Sequence, residues 1–272
     1  MQENIARLQN NAVAVTFVGP TMEEGKAKVA EPEQVLEAAI QATSDKRLLL
    51  AGRKILVTAG STVEPIDPIR VITNQSSGKM GAAIAIEAER MGARVTMVYG
   101  HGTASPAASK VIRVSSSEEM RQAVVAELKN GNYDIMVMAA AVADFAPATR
   151  SAKKLDTRSG GAVNLALVPT AKIVDEVKKV SRNIFLVAFK AEYGVPEQVL
   201  ADKAYAKLKE CDADMVVVND LGRKGSGAGS DSNELFIVDR KKKVVHVPLD
   251  SKAAVAKKLL ELVAESLPPN RH

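Results

Sequence analysis

From about residue 53 onward, short runs of Val, Ile and Leu alternate with longer amphipathic stretches, and this alternation restricts the chain more than any other feature. Apolar strands separated by amphipathic helices bury both of their faces most readily as successive βαβ units of a parallel sheet. Strands are predicted near 54–58, 94–98, 111–114, 133–139, 184–189 and 214–218, and helices over 77–91, 117–129, 171–181, 196–210 and 251–266. Gly92 ends the first of these helices, and the capping-box string Ser116-Ser117-Glu118-Glu119 opens the second. Glu234 to Val247 reads as two strands around a basic turn, an antiparallel hairpin at one edge. The expected fold is therefore α/β, a doubly wound, Rossmann-like, mostly parallel sheet with a C-terminal hairpin, and ligands belong at the carboxyl ends of its strands.

The first 50 residues differ. They offer one helix, a strand at AVAVTFVG and a helix from Pro32-Glu33, which is too little to close a core, and KRLLLAGRK reads as a linker. The division expected is 1–50 and 51–272. A length of 272 residues fits one or two domains at roughly 100–200 residues each. Apolar residues at 46% exclude a disordered chain. No apolar run approaches the ~18 residues of a membrane span. MQENIARLQN lacks the basic-then-apolar order of a secretory signal, so a cytoplasmic location is expected. One cysteine, Cys211, excludes an intrachain disulfide, and the scattered His101, His246 and His272 give no zinc-ligand spacing. A net charge of +5 suits an anionic ligand, while 5 Phe, 4 Tyr and no Trp leave little for stacking nucleic-acid bases. Polyphosphate is the ligand class these numbers favour.

Several strand ends carry unusual polar groups. The connection after the first strand runs from Gly60 to Ser76, far beyond the usual ~2–6 residues. It ends in Asn74-Gln75-Ser76-Ser77-Gly78-Lys79-Met80-Gly81, which sets hydroxyls, a carboxamide and unpaired N–H groups at a helix start, where the dipole favours an anion. Ser76 or Ser77 reads equally well as an N-cap. AAAVADFAP places Asp144 just beyond the fourth main strand, as a ribose or Mg²⁺ contact or as a turn cap. Lys153 and Lys154 follow in a loop, where solvated charges are the ordinary reading and phosphate contacts the other. FKAE around Phe189 and the Asn219-Asp220 pair end two more strands, and GRKGSGAGSDSNE supplies a Gly/Ser loop. A nicotinamide-binding G-x-G-x-x-G is missing after the first strand, as is a P-loop, and Tyr205-Ala206-Lys207-Leu208-Lys209 matches Y-x-x-x-K by spacing alone. Cys211, without a partner that would activate it, reads as a packing residue.

Together GSTVEPIDPIRVITNQSSGKMG, AAAVADFAP, KKLD, FKAE, VVVND and GAGSDSNE, in this order over about 53–266, resemble the phosphopantothenoylcysteine synthetase family. The first 50 residues are similar to the last segment of the flavin-dependent decarboxylase that precedes such synthetases in bifunctional proteins, a tail without a flavin-binding body, so neither FMN nor decarboxylation is expected. The resemblance implies a ligase of coenzyme A biosynthesis, joining phosphopantothenate to cysteine with a nucleoside triphosphate and Mg²⁺. CTP is favoured. It further implies that Asn74 serves amide formation and Lys154 nucleotide activation. Gly60, Ser61, Ser76, Ser77, Gly78, Lys79, Ala140, Ala141, Asp144, Lys153, Phe189 and Lys207 would then hold the nucleotide. Gly227, Ser230 and Asn233 would belong to a substrate loop, and the enzyme would be a homodimer. Departures at Lys154-Leu155-Asp156-Thr157, and at Cys211 where a second lysine is usual, leave ATP open. A pyridine-nucleotide oxidoreductase and a non-catalytic binding module are the alternatives.

Overall fold

The computed structural model describes residues 48–156 and 162–268, together with 18, 21–23, 26–28, 30–36 and 38. The chain divides into two compact units, Met1–Leu48 and Leu49–His272. In the first, β1 (Thr21–Glu23) and β2 (Lys26–Lys28) pair antiparallel, and residues 32–36 are helical, where a helix is expected. The expected opening helix, and AVAVTFVG apart from Val18, lie outside the described residues, as does Thr157.

The second unit is built on β3 (Lys54–Ala59), β6 (Arg94–Tyr99), β7 (Lys110–Arg113), β8 (Ile135–Met138), β11 (Phe185–Glu192), β12 (Met215–Asp220), β13 (Ser232–Asp239) and β14 (Val244–Ser251). These form one sheet in the order β14-β13-β12-β11-β8-β3-β6-β7. The six from β7 to β12 run parallel, and β13 and β14 add the antiparallel edge. Side chains alternate across the sheet with the period of two that a strand imposes. Ile55, Val57, Val95, Met97 and Val137 pack on one face with α1 (Lys79–Arg90) and α5 (Lys252–Ser266). Leu56, Val98, Met136 and Leu186 pack on the other with α2 (Ser117–Asn130), α3 (Val174–Val180) and α4 (Glu197–Glu210).

Three local expectations change. The long connection after β3 is not all loop: β4 (Val63–Pro65) and β5 (Val71–Thr73) pair antiparallel within it, with Val63 opposite Thr73. Pro65 lies in β4 and Pro68 at the tip, and a two-stranded ribbon is all edge and tolerates proline. Neither Ser76 nor Ser77 is the N-cap of α1; that position is Gly78, at φ 73°, and the Ser77 hydroxyl, one residue further back, accepts from Lys79 N at 3.4 Å. The linker is only partly one, since Leu50 is fully buried and its N–H donates to Met91 O at 3.0 Å. Ser116 does cap α2, accepting from Glu119 N at 3.2 Å, while the Glu119 carboxylate accepts from Ser115 N. Short β9 (Phe145–Pro147) and β10 (Leu167–Pro169) pair beyond β8. No helix among the described residues is long and apolar enough to cross a membrane.

Candidate active site

From β3 the chain winds outward to β6 and β7, then returns through α2 to β8 on the other side of β3. The strand order reverses between β3 and β8, so their connections leave in opposite directions and open a crevice at the carboxyl edge. Backbone bonds fasten its floor. Ala139 N donates to Thr58 O at 3.2 Å, Ala141 N to Gly60 O at 2.8 Å, and Ala143 N to Thr62 Oγ1 at 2.9 Å. A cleft of about 500 Å³ lies above it.

The start of α1 forms one wall. Ser76, Ser77, Gly78, Lys79, Met80 and Gly81 all line the cleft, so the first-turn N–H groups that lack an intrahelical acceptor belong to cleft residues. Glycine is required at two of these positions. Gly78 is left-handed, and a Cβ there would stand 2.9 Å from the Tyr99 hydroxyl. At Gly81 a Cβ would lie 2.4 Å from the Ala59 Cβ, because α1 crosses the end of β3 at close range.

Asn74 sits where β5 gives way to this wall. Its Nδ2 donates to Val142 O at 3.0 Å, which spends one of two amide protons and aligns the exposed carboxamide over the turn after β8. Ala140 and Ala141 of that turn also line the cleft. Asp144 follows, exposed, with Lys172 Nζ 2.5 Å from its carboxylate. Phe189 from β11, Lys207 from α4, and Gly227 and Asn233 from the far side complete the expected residues found there. Five lysines line the cleft, Lys79, Lys172, Lys190, Lys207 and Lys252, against two carboxylates, Asp144 and Glu210. This imbalance favours a polyanion.

Five expected residues lie outside the lining: Gly60, Ser61, Lys153, Lys154 and Ser230. Ser61 is buried, with its backbone bridged to His101 and Ala141, and Gly60 is the adjoining floor. Ser230 turns its hydroxyl back to Gly225 O at 2.6 Å, folding the Gly/Ser loop on itself. Lys153 and Lys154 are exposed on a segment pinned to the tip of the β4–β5 hairpin. The pin is Asp67, 1% exposed, whose carboxylate accepts from the N–H groups of Ile69, Arg70 and Leu155 and from the Arg70 guanidinium. Arg70 also donates to Leu155 O at 3.3 Å. Burial opposes ionisation of Asp67, but those three backbone donors and Arg70 outweigh it and hold the carboxyl well below the usual carboxylate range.

A carboxyl depressed in this way stabilises the fold at pH values above its unfolded pKa, and the stability is lost as pH falls through the folded value. The urea midpoint of Asp67→Asn should therefore lie below that of the wild type at neutral pH, with the gap narrowing only below about pH 4. A constant gap from neutral pH down to acid would contradict the clamp.

Two cleft lysines escaped the sequence reading. Lys172 is tied to Asp144, and Lys252, 8% exposed, opens α5. A lysine in the first turn of a helix opposes the dipole, and that was the one local signal for Lys252. Asp220, by contrast, is no ligand group: its carboxylate accepts from Gly194, Val195 and Gly222 N–H and holds the turn beyond β12. Cys211 is buried, and burial pushes its thiol up, as a packing residue requires. Among the described residues, Glu197, Glu234 and His246 bring three metal-ligand atoms within 4.8 Å of one another. That cluster is outside the cleft, and Arg223 already pairs with both carboxylates.

Residues 50–267 match the family model described as the DNA/pantothenate metabolism flavoprotein C-terminal domain. The chain belongs to this family. It is 43% identical over 240 residues to the coenzyme A biosynthesis bifunctional protein CoaBC of Thermococcus kodakarensis, covering 88% of this chain and 57% of that one. It is 34% identical over 245 residues to CoaBC of Bacillus subtilis, covering 88% and 58%. The chain thus spans less than two thirds of either relative. The crystal structure of the C-terminal domain of a CoaBC aligns with a TM-score of 0.66 and 31% identity, covering 80% of this chain and 96% of that one. The same match leaves the oxidoreductase reading without support, because no glycine-rich dinucleotide turn follows β3.

Proposed function

We propose that the chain is a phosphopantothenate–cysteine ligase acting in coenzyme A biosynthesis, with CTP as the favoured nucleotide and ATP as the other choice. One observation carries the reading: the start of α1 and the Asn74 carboxamide share a lysine-rich cleft at the switch point of the sheet. The relatives' printed place in coenzyme A biosynthesis supports it.

The carboxylate of phosphopantothenate attacks the α-phosphorus of the nucleotide, and pyrophosphate leaves. The product is an acyl-nucleotide. The cysteine amine then attacks the acyl carbon, losing a proton, and the amide forms as the nucleoside monophosphate departs. Lysines of the cleft offset the repulsion between two anions in the first step, and the N–H groups of the α1 start donate to phosphate oxygens. Asp144 is the carboxylate suited to Mg²⁺, which takes one or two protein carboxylates together with substrate phosphates. Bound there, the ion would neutralise charge on the triphosphate. In the second step the free proton of Asn74 Nδ2 donates to the oxyanion. Lys153 and Lys154 stand outside the cleft of their own chain, so in this reading a homodimer brings them to the nucleotide of a second copy. Residues 1–50 are then the end of a decarboxylase segment joined to the synthetase domain.

Pyrophosphate release is the test. With phosphopantothenate, cysteine, Mg²⁺ and either CTP or ATP, the chain should release one pyrophosphate per phosphopantothenoylcysteine formed. No release with either nucleotide would overturn the reading.

A further inference from the structure

Three successive carbonyl oxygens of the Gly/Ser loop are held by donors of the cleft. Ser77 Oγ donates to Ala228 O at 2.8 Å, Lys79 Nζ donates to Gly229 O at 3.1 Å, and Lys252 Nζ donates to Ser230 O. Lys79 is further paired with Asp231, at 2.6 Å. Ser77, Lys79 and Lys252 reach the loop from two different helices, α1 and α5 and the turn before them, which pack side by side on one face of the sheet.

Lys252 is the unusual member. It is 8% exposed and has no carboxylate within ion-pair distance among the described residues, so a buried ammonium is left with one carbonyl and unused N–H donors. Burial and the neighbouring Lys79 charge lower its proton affinity, with Asp231 opposing them. In the same cleft, the Ser226 hydroxyl is 2% exposed and has no hydrogen-bond partner. The buried Lys252 ammonium and an orphan hydroxyl demand acceptor oxygens, and Lys252 demands negative charge as well, while the half-buried Lys79 is held by an exposed aspartate that an anion can replace. Carbonyls supply the oxygens but not the charge, whereas a polyphosphate supplies both.

We propose that Lys252, Lys79 and Ser226 form a polyphosphate subsite that the loop fills with its own carbonyls in the ligand-free chain, so that pyrophosphate and the loop compete for the same donors. The inference rests on the ligase reading for the source of that polyphosphate, and it adds a consequence. Re-docking of the loop onto Ser77, Lys79 and Lys252 displaces pyrophosphate after the first step, and clears the cleft for cysteine.

Inorganic pyrophosphate alone, titrated by calorimetry, tests the subsite, with hydrogen exchange followed on the 225–232 amides. Lys252→Gln should weaken pyrophosphate about tenfold or more, the worth of one hydrogen bond to a charged group, and Lys252→Arg should restore most of it. Asp231→Asn should tighten pyrophosphate, since Lys79 loses a competing carboxylate. Saturating pyrophosphate should speed exchange in the loop. Unchanged affinity in Lys252→Gln, weaker binding in Asp231→Asn, or a loop protected by pyrophosphate would each overturn the competition. The ligase reading is tested separately. A chain that turns over substrates but fails these tests loses only the subsite, and one that passes them without turnover loses only the ligase.

Discussion

Asn74→Ala should still release pyrophosphate from the nucleotide but stall, with an acyl-nucleotide accumulating and amide formation slowed by about 10²–10³-fold. The size of this effect follows from position. The Asn74 carboxamide spends one proton on Val142 O, which fixes its plane, and leaves the other for an oxygen above the β8 turn. A donor fixed in advance does not have to reorganise as charge develops, so its loss is felt in the transition state rather than in binding. Lys154→Gln should fail one step earlier, with neither pyrophosphate nor acyl-nucleotide appearing. Quench-flow analysis with labelled nucleotide separates the two. Failure of both variants at the same stage would overturn the division of roles. Mixed with Asn74→Ala, Lys154→Gln should regain turnover, because one site of a mixed dimer then holds both the lysine and the carboxamide; no recovery on mixing would overturn their supply from different copies.

The second large effect is structural. Gly81→Val should destabilise the domain by about 3 kcal/mol or more, the upper range for overpacking a close contact. That corresponds to a fall in Tm of about 6–12 °C at 2–4 °C per kcal/mol for a domain of this size. The cause is the 2.4 Å separation that any Cβ at 81 would have from the Ala59 Cβ, with the Ala59 Cα and Thr58 O close behind. Alanine at the same position gains helix propensity of up to ~1 kcal/mol over glycine, yet meets the same contact, so Gly81→Ala should also lower Tm. An unchanged Tm in Gly81→Ala would show that α1 can lift from β3. Since Ser76 to Lys79 precede this contact, any lift should weaken polyphosphate binding as well.

Most of the fold was legible because its determinants are local. The apolar strands around Ile55, Val95, Ile135, Leu186 and Val216 all overlap the ranges expected, four of them running one to three residues further, and the helix starts near Ser117, Glu197 and Lys252 follow capping and periodicity rules that act over one turn. The β4–β5 hairpin was not legible, because its strands are only three residues long, too short for an alternating pattern to show within a long connection. The start of α1 shifted from 77 to 79 for a similar reason. Gly78 takes a left-handed φ that closes the approach to Tyr99, a contact 21 positions away in the chain.

The sequence by itself determined the order of strands and helices, their two-faced burial and the presence of Asn74, Ser76 and Lys79 at the head of a helix, since side-chain period and backbone propensity are properties of neighbours along the chain. Only the tertiary structure decided which cations meet. It buried Lys252 in the cleft that Lys79 and Ser226 also line, tied Asp144 to Lys172, and hung Lys153 and Lys154 from Asp67 outside the cleft. Such pairings depend on which strand ends the sheet brings together and on where water is excluded. A lysine carries the same letter whether it is solvated or sealed beside another charge, so solvent exclusion at long range had to be seen in the fold.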